Sequence, residues 1–144
     1  MKILDVGSGN GVHILELRDI GVYAFGLDPH INQDHWMNVS MLFIKAYLKE
    51  IHNSFDLITF HHWFEHLTNP LETLVHAKSL LKPYGKILLR IPITSSWAFE
   101  TYREKLVSIG CSQTLFFHSH KSIELLAKRA NLYILDLWCD SNTM

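Results

Sequence analysis

Short apolar runs alternate with longer amphipathic stretches along this chain. Met1 to Val6 is apolar and stops at glycines, the pattern of a buried strand. A helix is predicted from about Gly11 to Ile20, with Gly21 as a left-handed cap. Val22 to Leu27 predicts a second strand, closed by Asp28-Pro29. A weaker helical pattern from Ile31 to Asn38 precedes a third strand near Met41 to Ile44, and FDLITF, Phe55 to Phe60, predicts a fourth.

The clearest start signal is Asn69-Pro70-Leu71-Glu72. Asparagine caps, proline suits the first helical position, and a glutamate at the third reaches back to the cap. Leu71, Leu74, Ala77 and Leu81 then recur at helical spacing, and Lys82-Pro83-Tyr84-Gly85 reads as a turn. Lys86 to Ile91 predicts the fifth strand, stopped by Pro92, and a helix is expected near Ala98 to Ser108. Ser119 caps a last helix that ends at Asn131, and Leu132 to Trp138 predicts a sixth strand. Strands alternating with helices predict an α/β fold, a doubly wound three-layer sandwich around a mostly parallel Rossmann-like sheet, formed as one domain over residues 1–144. In such sheets ligands lie at the carboxyl ends of the strands. That rule singles out residues 5–11, 28–30, 44–46, 60–66 and 92–96.

Composition adds exclusions rather than a function. A formal net charge of -1 does not advertise a nucleic-acid partner. No apolar run approaches the roughly 18 residues of a spanning helix, so no membrane partner is expected. The start, MKILDVGSGNG, is broken by Asp5 and glycines and does not read as a signal peptide. Cys111 and Cys139 are too far apart in sequence for a C-x-x-C pair, and a cytoplasmic protein with free thiols is the reading adopted.

The chemistry starts at Asp5-Val6-Gly7-Ser8-Gly9-Asn10-Gly11, between the first strand and the first helix. Glycines let a backbone turn tightly and approach a ligand. Asp28 closes the second strand, where a carboxylate accepts both hydroxyls of a ribose. The spacing is not the dinucleotide G-x-G-x-x-G, because the third glycine comes one residue early and Val12 follows it.

ILDVGSGNG followed by GLDPH resembles the first two motifs of the class I S-adenosylmethionine-dependent methyltransferases, and FDLITFHHWFEHLTNPLETLVHAKSLLKPYGKILLRIPI is similar to their fourth-to-fifth-strand region. The resemblance implies S-adenosyl-L-methionine as cofactor, with Gly7, Ser8 and Gly9 against its methionine part and Asp5 ordering the loop. It puts Asp28 on the ribose, Pro29 and His30 beside the adenine, and His61 and Ala46 in the cofactor-binding set. Relatives often carry an acidic residue after the third strand to read the adenine amine. Lys45 stands there and cannot accept a hydrogen bond, so recognition falls to backbone groups. Tyr84 replaces a usual glycine. The pattern implies strand order 3-2-1-4-5-6, without the antiparallel seventh strand of relatives and with the sixth pairing directly on the fifth.

FHHWFEH, residues 60–66, contains H-x-x-E-H, the spacing of an inverted zinc-peptidase motif. Its place at the end of a strand, rather than inside a long helix, argues against that reading. Trp63 and Phe64 are expected to pack, and Glu65 and His66 to hold the loop by hydrogen bonds. Some relatives hold a divalent cation with E-x-x-E-H. His62, Glu65 and His66 are what a cation would use, but no metal is assigned. His61 and His62 are the candidate catalytic bases because imidazole titrates near neutrality; Tyr102 is a weaker one. The function expected is methyl transfer to a small-molecule or sugar acceptor, with a homodimer allowed for. The competing readings are a nicotinamide-dependent reductase, disfavoured by the glycine spacing, and a truncated, non-catalytic binding module of the same fold.

Overall fold

Strand β1 (Lys2–Val6) lies inside the sheet, and that position explains why it is apolar on both faces. Its neighbours are β2 (Tyr23–Leu27) and β5 (Phe55–His61), both parallel to it. Beyond β2 come β4 (Ser40–Ile44) and the short β3 (His35–Met37); beyond β5 comes β6 (Leu81–Arg90). The order is β3-β4-β2-β1-β5-β6, with β3 antiparallel to β4 and the other five strands parallel. Counted along the chain, those five run 3-2-1-4-5, as expected. Helices α1 (Val12–Asp19), α2 (Pro70–Ser79) and α3 (His120–Arg129) complete the layers. The structure is a computed structural model and describes residues 1–32, 34–37, 40–94 and 117–138.

Side chains alternate across a strand, so one strand feeds two cores. Leu4 and Val6 of β1 join Ile58, Phe60, Leu74 and Ala77 on the α2 side. Ile3 joins Ile14, Ala24, Leu42 and Phe43 on the α1 side. The helix ends follow their signals. Asn69 accepts from the Glu72 N–H at 3.4 Å, while the Glu72 carboxylate takes the Asn69 side-chain amide at 2.7 Å. The glutamate thus reaches the capping side chain rather than the cap's backbone. Ser119 and Ser122 form a reciprocal capping box, Gly21 adopts φ 83° and Asn131 φ 54°.

Three expectations change. The helix expected over 31–38 is not formed; β3 occupies part of it and hydrogen-bonds to β4, giving that strand a second partner. Pairing of an otherwise bare edge outweighs a weak helical pattern. The turn expected at Lys82–Gly85 lies inside β6 as a large bulge: Phe55 pairs with Leu81 and Leu57 with Lys86, five residues along β6 against two along β5. Tyr84 sits in that bulge, fully exposed, at φ 65°, a conformation that favours glycine. Finally, Leu132–Trp138 joins no ladder among the described residues, so the expected pairing with β6 is not seen. The exit from α3 steers this segment: beyond the left-handed Asn131, the Leu132 N–H returns to the Ala127 carbonyl at 2.8 Å. The helix expected near Ala98–Ser108, with Tyr102, lies outside the described residues.

Candidate active site

The carboxyl ends of β1, β2, β4 and β5 bring the predicted residues to one edge. Gly7, Gly9 and Gly11 all have positive φ, 79°, 53° and 73°, so the chain leaves β1 through a backbone that L side chains resist. The loop is pinned by Gly7 N–H to Leu27 C=O at 2.7 Å and by Gly11 N–H to Ser8 C=O at 2.9 Å. Its glycines have different neighbours. A Cβ on Gly7 would run into the Trp63 indole, and one on Gly11 into the Phe43 ring. Around a Cβ on Gly9 no atom of the described residues lies within 4 Å.

Asp28, 7% exposed, faces this loop. Its Oδ2 accepts from the Gly9 N–H at 3.0 Å, its Oδ1 from the His30 N–H at 2.8 Å, and its own N–H is held by Ile44 C=O at 3.1 Å. Pro29 follows in the turn, and Ala46 is half-buried past the end of β4. Lys45 is exposed, yet an acid does arrive beside it: the Asp34 carboxylate accepts the Lys45 backbone N–H at 2.7 Å. Sequence reasoning looked for that acid after the third strand and missed it eleven residues upstream.

Asp5, 3% exposed, points to the α1 side, where Thr59 donates its hydroxyl to Oδ1 at 2.6 Å. Burial raises the Asp5 carboxyl above its ordinary value, opposed by the Thr59 hydroxyl and then by the imidazoles of His61 and His13. His61 ends β5 and packs against His13 of α1, ring centroids 4.9 Å apart. Burial lowers its pKa; Asp5 pulls the other way, and His13, Arg90 and His62 add to the lowering. Ser8 Oγ and His61 Nε2 are buried with no hydrogen-bond partner among the described residues.

The FHHWFEH segment is resolved into packing. Phe60 and Phe64 are fully buried, and Trp63 stacks on Phe60 at 6.3 Å while covering Gly7. His62 is exposed at φ 51°, with Nδ1 3.8 Å from Glu65 Oε1. Glu65 is buried, and its Oε2 has no hydrogen-bond partner among the described residues. His66 is exposed and closes the short helical turn through its backbone, N–H to Trp63 C=O at 3.0 Å. No group of three or more His, Cys, Asp or Glu side chains is gathered for a metal among the described residues. His62, Glu65 and His66 therefore do not converge as H-x-x-E-H would require.

The sequence matches, over residues 1–137, the family described as Methyltransferase domain. The chain belongs to that family. No curated protein sequence matches this methyltransferase domain. Among solved structures it is similar to the complex of the Haloferax volcanii Trm112 methyltransferase activator with a candidate methyltransferase: TM-score 0.72, 19% identity, covering 94% of this chain and 62% of that one. An Archaeoglobus fulgidus SAM-dependent methyltransferase gives TM-score 0.71 at 20% identity, covering 90% and 59%. The magnesium protoporphyrin IX methyltransferase of Synechocystis, solved with bound SAH, gives 0.67 at 13%, covering 90% and 63%. This domain thus spans about three-fifths of the length of those proteins. No helix among its described residues is long and apolar enough to cross a membrane.

Proposed function

We propose that this domain binds S-adenosylmethionine at the Gly7–Gly11 loop and serves transfer of its methyl group to a small-molecule or sugar acceptor. The observation that carries the reading is the open space around Gly9 directly beside the Asp28 carboxylate. The fit is chemical as well as steric. Each Asp28 oxygen already accepts one N–H, and a carboxylate has about four lone-pair sites, so acceptor capacity remains for two ribose hydroxyls. Ser8 Oγ, which has no hydrogen-bond partner among the described residues, is a further polar atom in the same loop.

In this reading Gly7, Ser8 and Gly9 hold the methionine part, Asp5 orders the loop, Asp28 takes the ribose, and Pro29 and Ala46 flank the adenine. Asp34 stands beside that segment as the acid that Lys45 is not. S-adenosylmethionine, when bound, supplies a methyl group on a positively charged sulfur. The chain's own part is to align the acceptor and take its proton, for which His61 and His62 are the candidates. His61 is the better of the two, since it faces Asp5 and is held by its neighbours, whereas His62 is exposed.

Calorimetric titration of S-adenosylhomocysteine and, separately, NADH tests the reading. The homocysteine product is expected to bind and NADH not to. Asp28→Ala is expected to weaken binding at least tenfold, since hydrogen bonds to a charged group are worth about 1.5–3 kcal/mol. Absence of S-adenosylhomocysteine binding at millimolar concentration would favour the non-catalytic module instead.

A further inference from the structure

Asp5 and Thr59 are cross-strand partners in the β1–β5 register, and His61 lies two residues further along β5 on the same face. Helix α1 covers that face, burying Ile14 against Ile3 and, one position earlier, setting His13 on the His61 ring at a 34° tilt. A buried carboxylate, a hydroxyl that bonds it and two packed imidazoles thus meet beside the glycine loop. The charged and titratable groups facing His61 are Asp5 from β1, His13 from α1, Arg90 from β6 and His62 from the end of its own strand.

We propose that His13 is a positioning residue for His61: its ring packs on the His61 ring, holds it beside the Asp5 carboxylate, and so presents it as the base for an acceptor carrying a removable proton, a hydroxyl or an ammonium. This rests on the methyl-transfer reading and narrows it to protic acceptors. In the proton step the acceptor's O–H or N–H bond breaks, its electron pair stays on the acceptor atom, and an N–H bond forms on His61. Ring packing limits the rotation of His61 about its side-chain bonds. The two flanking groups act oppositely on its charge: Asp5 favours a proton on His61, and a proton on His13 opposes it. His13 is half exposed, so its removal leaves the core intact.

Imidazole Cε1–H resonances of the full chain, followed across the neutral pH range by NMR, decide the matter, with the His61 signal assigned by its loss in His61→Gln. The His61 midpoint is expected to rise in His13→Gln and to fall in Asp5→Asn. A merely structural role for His13 would leave the midpoint where it was, and an unmoved curve in a folded His13→Gln protein overturns the proposal. Should Asp5→Asn fail to fold, His13→Gln decides alone. Calorimetry with S-adenosylhomocysteine on the unaltered chain separates the two levels. Binding with an unmoved His61 curve overturns the role of His13 only. A shifted curve without binding overturns the methyl-transfer reading, and the base role with it.

Discussion

Two loops meet at the carboxyl edge of the sheet and are built on opposite terms. The loop after β1 is mostly backbone: three glycines at positive φ, with Gly7 and Gly11 covered by Trp63 and Phe43 and Gly9 left open among the described residues. The end of β5 and the loop after it are nearly all side chain, with Phe60, Trp63 and Phe64 packed and His61 turned toward Asp5 and His13. They are complementary at one point, where the Trp63 indole rests on the bare Cα of Gly7. A loop made of backbone is damaged by adding atoms, and one made of side chains by removing them.

The sharpest way to break that comparison is to add a single methyl group at different glycines. Gly11→Ala drives a Cβ into Phe43 at a left-handed φ and is expected to cost about 3 kcal/mol in urea unfolding, combining overpacking with backbone strain. Gly9→Ala meets no atoms, so its stability loss should stay near 1 kcal/mol while S-adenosylhomocysteine binding drops at least tenfold. Equal stability losses at the two positions would dissolve the distinction. A double-mutant cycle sharpens it further: Gly7→Ala should cost about 3 kcal/mol alone but about 1.5 kcal/mol less in a Trp63→Ala background, because only the strain at φ 79° remains. Additive losses would mean that the two loops do not bear on each other.

A smaller effect comes from the opposite case, a side chain standing where glycine belongs. Tyr84→Gly relieves a left-handed tyrosine with no packing to lose, and a gain of about 1 kcal/mol in thermal unfolding is expected, reduced by the greater freedom of glycine in the unfolded chain. The smallest is the pH response. His61 and His118 have folded values below the ordinary imidazole range, both mainly through burial. The unfolded chain therefore binds their protons first, and stability should fall as pH drops through about 6.5. Asp5, raised by burial, acts in the other sense: the folded chain takes its proton first on acidification, which regains stability near the carboxylate range. Unfolding midpoints measured from pH 8 to pH 5 check the first part; a flat profile would contradict it.

The features legible in the sequence are those with local causes. The runs that became β1, β2, β4 and β5 are apolar because parallel strands are buried, and the Asn69, Ser119 and Gly21 signals act within one helical turn. The glycine loop and Asp28 were readable because their residue types are chemically unusual where they stand. What was not legible depends on distant partners. Nothing near Gly11 or Gly26 announces that Phe43 fills the space above both, and nothing near Lys45 announces Asp34. Nothing in the sequence around His13 announces His61, which it meets only because α1 lies over the β1–β5 pair.

Asp28 has a consequence for timing. Its carboxylate holds the Gly9 N–H and the His30 N–H, so contacts within the protein join the loop to the turn after β2. A site that must first find its shape loses apparent affinity in proportion to the time it spends misshapen. Here the residue proposed to grip the ribose also keeps the receiving loop assembled, so capture would be governed by encounter rather than by rearrangement, and differences among ligands would be expressed in how long each one stays.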